Sequence, residues 1–170
     1  LFGGDRQQEI DMRPAGWSLA LLIGAGPWTA ATAQDLPQAR AFVTGLYQAY
    51  HGDGPDYLGR QAASVFAPPL LRLIRRDAAE TSAGEVGAID GDPICDCQDF
   101  GGLHNLTVAV TGGAPGHARA IARFQFGAEW RTVRLDLVAV GGHWRVGDVR
   151  TAETPSLAAL LEHGLARQRK

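Results

Sequence analysis

The segment Asp90-Gly91-Asp92-Pro93-Ile94-Cys95-Asp96-Cys97-Gln98-Asp99 holds four carboxylates and both cysteines of a 170-residue chain. Carboxylates at such density can move protons, ligate hard cations or present negative charge to a partner. Two cysteines can crosslink, exchange electrons or bind soft metals. A separation of two residues spans at most about 7 Å, so a bent backbone reaches the roughly 4.4–6.8 Å Cα spacing that a disulfide needs. A Cys95–Cys97 disulfide is therefore the leading reading for an oxidising compartment. Its ring is expected to be strained and reducible, and closing so small a loop stiffens the segment more than it stabilises the domain. Two buried or free thiols come next. Redox catalysis ranks behind both, because the Cys-x-x-Cys spacing at a helix start is missing.

Metal ligation fails on spacing. Asp90, Asp92, Asp96 and Gln98 occupy positions one, three, seven and nine of a calcium loop, but Cys95 stands where that loop needs Gly and Gly101 where it needs Glu. A zinc site from Cys95, Cys97 and His104 lacks a fourth ligand. No metal and no cofactor is expected. Asp92 and Asp99 also suit the capping of turns around Pro93 and at a strand entrance. The functional expectation for Asp90, Asp92, Asp96 and Asp99 is an acidic recognition surface.

A second constellation would be catalytic. Strand parity with Trp144 and Val146 puts Asp148 on an inward face, where apolar walls could raise its pKa for general-base work, with Tyr47 or Tyr50 donating to a developing oxyanion. Pairing of Asp148 with a sheet arginine such as Arg123 is the plainer alternative, since buried carboxylates need partners and perturbed acids also occur in structural networks. His104, His117 and His143 lie beside turns and form no Ser-His-Asp spacing. The aromatics Phe42, Tyr47, Tyr50, Phe66, Phe124, Phe126 and Trp144 read first as core.

The elements that must position these residues follow from periodicity. Ala39, Phe42, Val43, Leu46, Tyr47 and Tyr50 recur at helical spacing after Asp35, until His51-Gly52-Asp53-Gly54-Pro55 breaks the pattern. A short helix is predicted over Tyr57–Phe66. Pro68 and Pro69 open a third, with Leu70, Leu71, Ile74 and Ala78 on its buried side. Beyond Gly84 the period becomes two: Leu106, Val108 and Val110; Ala118 through Phe126; Val133, Leu135 and Leu137; then Trp144 through Val149. Gly112–Gly116 and Gly141-Gly142 supply turns. Pro155 and Ser156 open a closing helix with Leu157, Leu160, Leu161 and Leu165. Helices, then about four antiparallel strands, then a helix define an α+β domain, expected as N-terminal helices packed on a curved, cone-like sheet.

Composition narrows the partners. The net charge of −2 is no basis for binding nucleic acid or an anionic membrane surface. Charge is unevenly spread, with an acidic stretch from Asp77 to Ala118 that lacks Lys and Arg, followed by the arginine-rich strands Arg119 to Arg150. Residues 12–33 read as a secretory signal: Met12-Arg13 is the basic start, Trp17–Ala25 is apolar, and Ala31-Thr32-Ala33 is a small-x-small cleavage site. The apolar run falls short of the roughly 20 residues of a spanning helix. Cleavage after Ala33 would deliver a periplasmic protein with no stable membrane anchor, since no lipidated cysteine lies nearby. Residues 1–11 read as an extension upstream of the true start, and 34–170 as one domain.

Several of these pieces, namely Leu46-Tyr47-Gln48-Ala49-Tyr50, Asp92-Pro93-Ile94-Cys95 with Gln98-Asp99, Leu135-Asp136-Leu137-Val138, Trp144 to Val149 and Pro155 to Leu161, resemble domain of unknown function family 3828. The resemblance spans nearly all of residues 34–170. It implies an exported bacterial protein with a nuclear transport factor 2-like cone, although this chain lacks the lipobox cysteine of many members. It carries no established activity. The leading expectation is a non-enzymatic domain that binds a small molecule or a periplasmic protein, in a sharper form an immunity or inhibitor protein, with the sheet as a surface for homodimers. A small hydrolase or isomerase in the cone cavity and a metal or redox site at Cys95 and Cys97 are the alternatives.

Overall fold

A computed structural model describes residues 35–99 and 101–168. The expected extension 1–11 and leader 12–33 lie outside the described residues. The order is α1 (Asp35–Gln48), α2 (Ala62–Val65), α3 (Pro68–Glu80), β1 (Leu103–Gly112), β2 (His117–Phe126), β3 (Glu129–Val140), β4 (His143–Arg150) and α4 (Leu157–Gln168). The α+β class and the four antiparallel strands are as expected.

The helices follow their apolar stripes, with two differences. The stretch predicted as a helix over Tyr57–Phe66 is mostly turns, with a single helical turn at its end. In α3 the buried positions are Leu70, Ile74 and Asp77, whereas Ala78 is exposed. A carboxylate thus takes the place expected for an alanine. Asp77 can be buried because its carboxylate oxygens accept from Ala88 N at 3.0 Å and Ile89 N at 3.3 Å. This contact holds the chain that leads into the acidic segment.

The cone does not form. Successive hairpins lay the strands in the order β1-β2-β3-β4, an open meander in which the outer strands never meet. The nuclear transport factor 2-like geometry is therefore overturned. The inward face is also filled: Val43 and Tyr47 of α1, Phe66, Phe124 of β2, Leu135 and Leu137 of β3 and Leu161 of α4 are all buried in one cluster. Ala118, Ala120 and Ala122 give β2 small buried side chains on this side, where α1 packs across β1 and β2. The edge of β4 is partly covered by a parallel bridge of Phe66 to Val146, with Ala67 N donating to Val146 O at 2.8 Å. Covering an edge removes part of a template for unwanted strand pairing.

One irregularity re-aims the end of the sheet. The register of β3 with β4 runs Leu137↔Val146 and then Asp136↔Asp148, so Gly147 is an extra residue in a bulge. Parity beyond the bulge is inverted. Val149 pairs with the buried Leu135, while Asp148 stands opposite Asp136 on the other face. A Cβ on Gly147 would lie 2.9 Å from Val138 Cγ2 and 3.5 Å from Asp136 O, so the bulge needs a residue without a side chain. Gly147→Val should cost about 1–3 kcal/mol by overpacking. Urea unfolding with a lowered midpoint would show this, and an unchanged midpoint would refute the crowding.

Candidate functional site

The acidic segment is tied to the core through Asp92. The residue is buried at 8 % exposure. Its Oδ1 accepts from Ile94 N at 2.8 Å and its Oδ2 from the Tyr50 hydroxyl at 2.8 Å. Tyr47, on the preceding turn of α1, donates its hydroxyl to Ile94 O at 2.7 Å, and Tyr57 donates to Leu46 O at 2.6 Å. The three rings pack together, with Tyr50 edge-on to Tyr57 and Tyr47 against Phe124. Buried tyrosines commonly place their hydroxyls in this way, the ring in the core and the oxygen on a partner.

The segment closes on itself as well. Asp92 and Cys97 exchange backbone bonds, Asp92 N to Cys97 O at 2.8 Å and Cys97 N to Asp92 O at 3.3 Å. Inside that ring Cys95 and Cys97 are disulfide-bonded with Cα atoms 5.2 Å apart. Asp96, at the tip, has φ 52°, a left-handed conformation that aspartate tolerates better than most residues. Gly91 has φ 139°, and a Cβ there would meet Cys97 O at 2.8 Å. Glycine is what allows the two arms of the loop to pass.

The tie leaves Asp90, Asp96 and Asp99 outside. They line an open cleft of about 540 Å³ whose other walls include Phe126 and Arg131 from the sheet, Thr151 and Glu153 after β4, and Leu157 and Leu160 of α4. The Arg131 guanidinium stands 4.9 Å over the Phe126 ring and 3.8 Å from Glu129. Withdrawal from water pushes the Asp96 carboxyl above its ordinary value, with Arg131 opposing and Glu153 adding to the rise. Arg131, Phe126 and Glu153 belong to this cleft, yet the sequence alone did not connect them to it. Register was the missing signal: Arg131 shares the inward side of β3 with Val133 and Leu135, and Phe124 is its partner on β2.

Of the expected catalytic set, Tyr47 and Tyr50 lie together, but Asp148 is elsewhere. Its Oδ1 accepts from Val149 N at 2.9 Å and Ala158 N at 3.0 Å; its Oδ2 accepts from the Ser156 hydroxyl at 2.8 Å and pairs with Arg150 at 3.3 Å. Asp148 is thus a clasp between the end of β4 and the start of α4, and the sheet arginine that pairs with it is Arg150, the last residue of β4. The bulge at Gly147 is the reason the parity argument failed. The disulfide occupies both sulfurs that a zinc site with His104 would need. Among the described residues no group of three His, Cys, Asp or Glu side chains is placed to hold a metal ion.

The site is therefore a braced acidic loop on an α+β meander domain, bordering an open polar cleft. The chain is similar to the uncharacterized protein YqhG of Escherichia coli (strain K12), 33% identical over 112 residues, which are 63% of this chain and 36% of that protein. It spans little more than a third of that relative's length. No family model and no solved structure matches.

Burial is the main reason the Asp92 carboxyl lies above its ordinary 3.8; bonds from Ile94 and Cys95 backbone N–H groups and from Tyr50 work in the other direction. Burial and the nearby Asp92 charge likewise push the Tyr47 and Tyr50 hydroxyls up. A carboxyl raised on folding favours its protonated form in the native state. Its stabilisation is complete below 3.8 and is lost as pH rises through the higher folded value. Thermal unfolding of wild type and Asp92→Asn should therefore show a gap that shifts in favour of wild type as pH falls from neutrality toward 3.8; a gap independent of pH would contradict this. Asp92→Ala should follow the same pH trend and cost about 1–3 kcal/mol near pH 3.8, because the Tyr50 and Ile94 donors lose this acceptor.

Proposed function

We propose that this is an exported, non-enzymatic binding domain whose acidic loop and cleft engage a positively charged group on a small molecule or protein. The observation that carries the reading is the contrast within one loop: Asp92 is buried at the base of the cleft and spent on holding the loop, whereas Asp90, Asp96 and Asp99 are exposed along it. A loop held by a disulfide, a two-way backbone bridge and a tyrosine clasp loses little freedom on binding, which lowers the cost of recognition.

Magnitudes set the kind of ligand. Exposed ion pairs contribute about 0.2–1 kcal/mol each, so three carboxylates alone bind weakly. Phe126, Leu157 and Leu160 supply apolar wall for the rest. A cation carried on an apolar body, as in a lysine- or arginine-bearing peptide, fits better than a bare ion. An immunity or inhibitor protein that covers a basic toxin is one form of this function. Export is supported by the leader pattern of residues 12–33 and by a disulfide, which persists in oxidising compartments. The motif likeness to domain of unknown function family 3828 belongs to the same proposal, without the cone.

Titration of the protein with hexalysine, followed by amide NMR shifts, tests the binding reading. Shifts should concentrate on residues 90–99 and 151–160, strengthen as pH rises above the ordinary carboxylate range, and weaken about three- to tenfold in Asp96→Asn/Asp99→Asn. The exposed loop variant Asp53→Asn serves as the control. Scattered shifts, or equal affinity in the double variant, would defeat the reading. Export predicts that protein recovered from cells expressing the gene begins at Gln34 by mass spectrometry; a retained leader would count against it.

A further inference from the structure

The face of the sheet turned away from the helices carries a second, oppositely charged surface. On β1 and β2 the register sets Thr111, Ala109 and Thr107 opposite Arg119, Ile121 and Arg123; on β2 and β3 it sets the same three opposite Asp136, Arg134 and Thr132. These positions alternate with the buried Ala118, Ala120, Ala122 and Phe124, so they form one side. The six on β1 and β2 are exposed, as are Arg134 and Trp130. Ile121 is 44% exposed and Trp130 47%. Ile121 and Trp130, on either side of Arg123, give this charged surface an exposed apolar component.

The charges limit what this face can bind. Arg123 stacks 3.8 Å over Trp130. Arg134 has no ion pair among the described residues, and Arg119 only reaches Asp136 at 4.0 Å. The one carboxylate in the middle of the face, Asp136, is already held by Arg150 at 2.8 Å. The local balance is therefore positive in a chain whose net charge is −2. A second copy applied through the same face would set these arginines against each other, which disfavours an isologous dimer.

We infer that this outward sheet face, centred on Arg123, Trp130, Ile121 and Arg134, docks an acidic polypeptide segment that also carries apolar or aromatic side chains. Guanidinium groups meet carboxylates in bidentate geometry, and the stacked Arg123 is held ready by the indole. Ile121 and Trp130, on either side of Arg123, add apolar contact beside such pairs. Nucleic acid fits less well: the cations are few, Asp136 lies among them, and the acidic loop adds repulsion toward a polyphosphate.

The test uses the whole protein and a random copolymer of glutamate and tyrosine, with oligothymidylate as the polyphosphate comparison, both followed by fluorescence anisotropy at low salt. The copolymer should bind, Arg123→Ala/Arg134→Ala should weaken it about tenfold or more, and Ile121→Ser should weaken it less. Asp96→Asn should leave it unchanged or slightly tighter, which separates this face from the acidic cleft. These side chains are exposed, so thermal midpoints of the variants should match wild type and loss of folding will not mimic loss of binding. Absence of copolymer binding, equal binding by the double variant, tighter binding of oligothymidylate, or a dimer in sedimentation that Ile121→Ser disrupts would each overturn the inference.

Discussion

A carboxylate withdrawn from water must be given donors, and that requirement at Asp92 organises the functional end of the molecule. The donors are the Ile94 amide, one residue past Pro93, and the Tyr50 hydroxyl, just beyond the last residue of α1. Meeting both at once sets the distance between the acidic loop and the first helix. Tyr47, bonded to Ile94 O, doubles the tie, and Tyr57 braces the end of α1 from the other side. The loop is therefore a part of the core at its base and an open acidic surface at its tip.

The same rule operates at two other buried acids. Asp77 accepts the amides of Ala88 and Ile89, and Asp148 accepts those of Val149 and Ala158 together with the Ser156 hydroxyl. Each carboxylate fastens separate stretches of chain together: the approach to the acidic loop to α3, the loop itself to the residue just past α1, and the start of α4 to β4. None of the three is placed as a free general base. Among the described residues no buried side-chain polar atom lacks a partner, as expected where an unmet group would cost about 1–3 kcal/mol.

With those clasps in place, charge separates onto two sides. The carboxylates left over gather around the cleft at the end of the sheet, where Arg131 is their one sheet arginine among the described residues, while Arg119 and Arg123 of β2 and Arg134 of β3 spread across the face that the helices leave bare. Both surfaces stand on rigid supports, the one a crosslinked loop and the other a hydrogen-bonded meander. A nearly neutral protein can thus present opposite signs to different partners, and the sum of its charges conceals this.

Apart from the Tyr57–Phe66 stretch, which is mostly turns, the elements themselves were legible from local pattern. Alternation marked Ala118 to Phe124 as a strand with one buried side, three- and four-residue spacing marked α1, and glycine pairs marked the hairpins. Cys95 and Cys97 were legible as a pair for the same reason, since their geometry depends on two intervening peptide units. What local pattern could not supply was any relation set by distant residues. One extra residue at Gly147 reversed the face of Asp148, because register is decided between strands. Whether the strands close into a cone depends on whether β1 can meet β4, a contact across the whole sheet that no short motif encodes. The acidic segment could be seen in the sequence as four carboxylates, but which one would be buried depended on the positions of Tyr50 and Ile94 in the folded chain. Composition and periodicity act through near neighbours; the division of labour among identical aspartates is made by tertiary contacts, where desolvation and donor supply are settled.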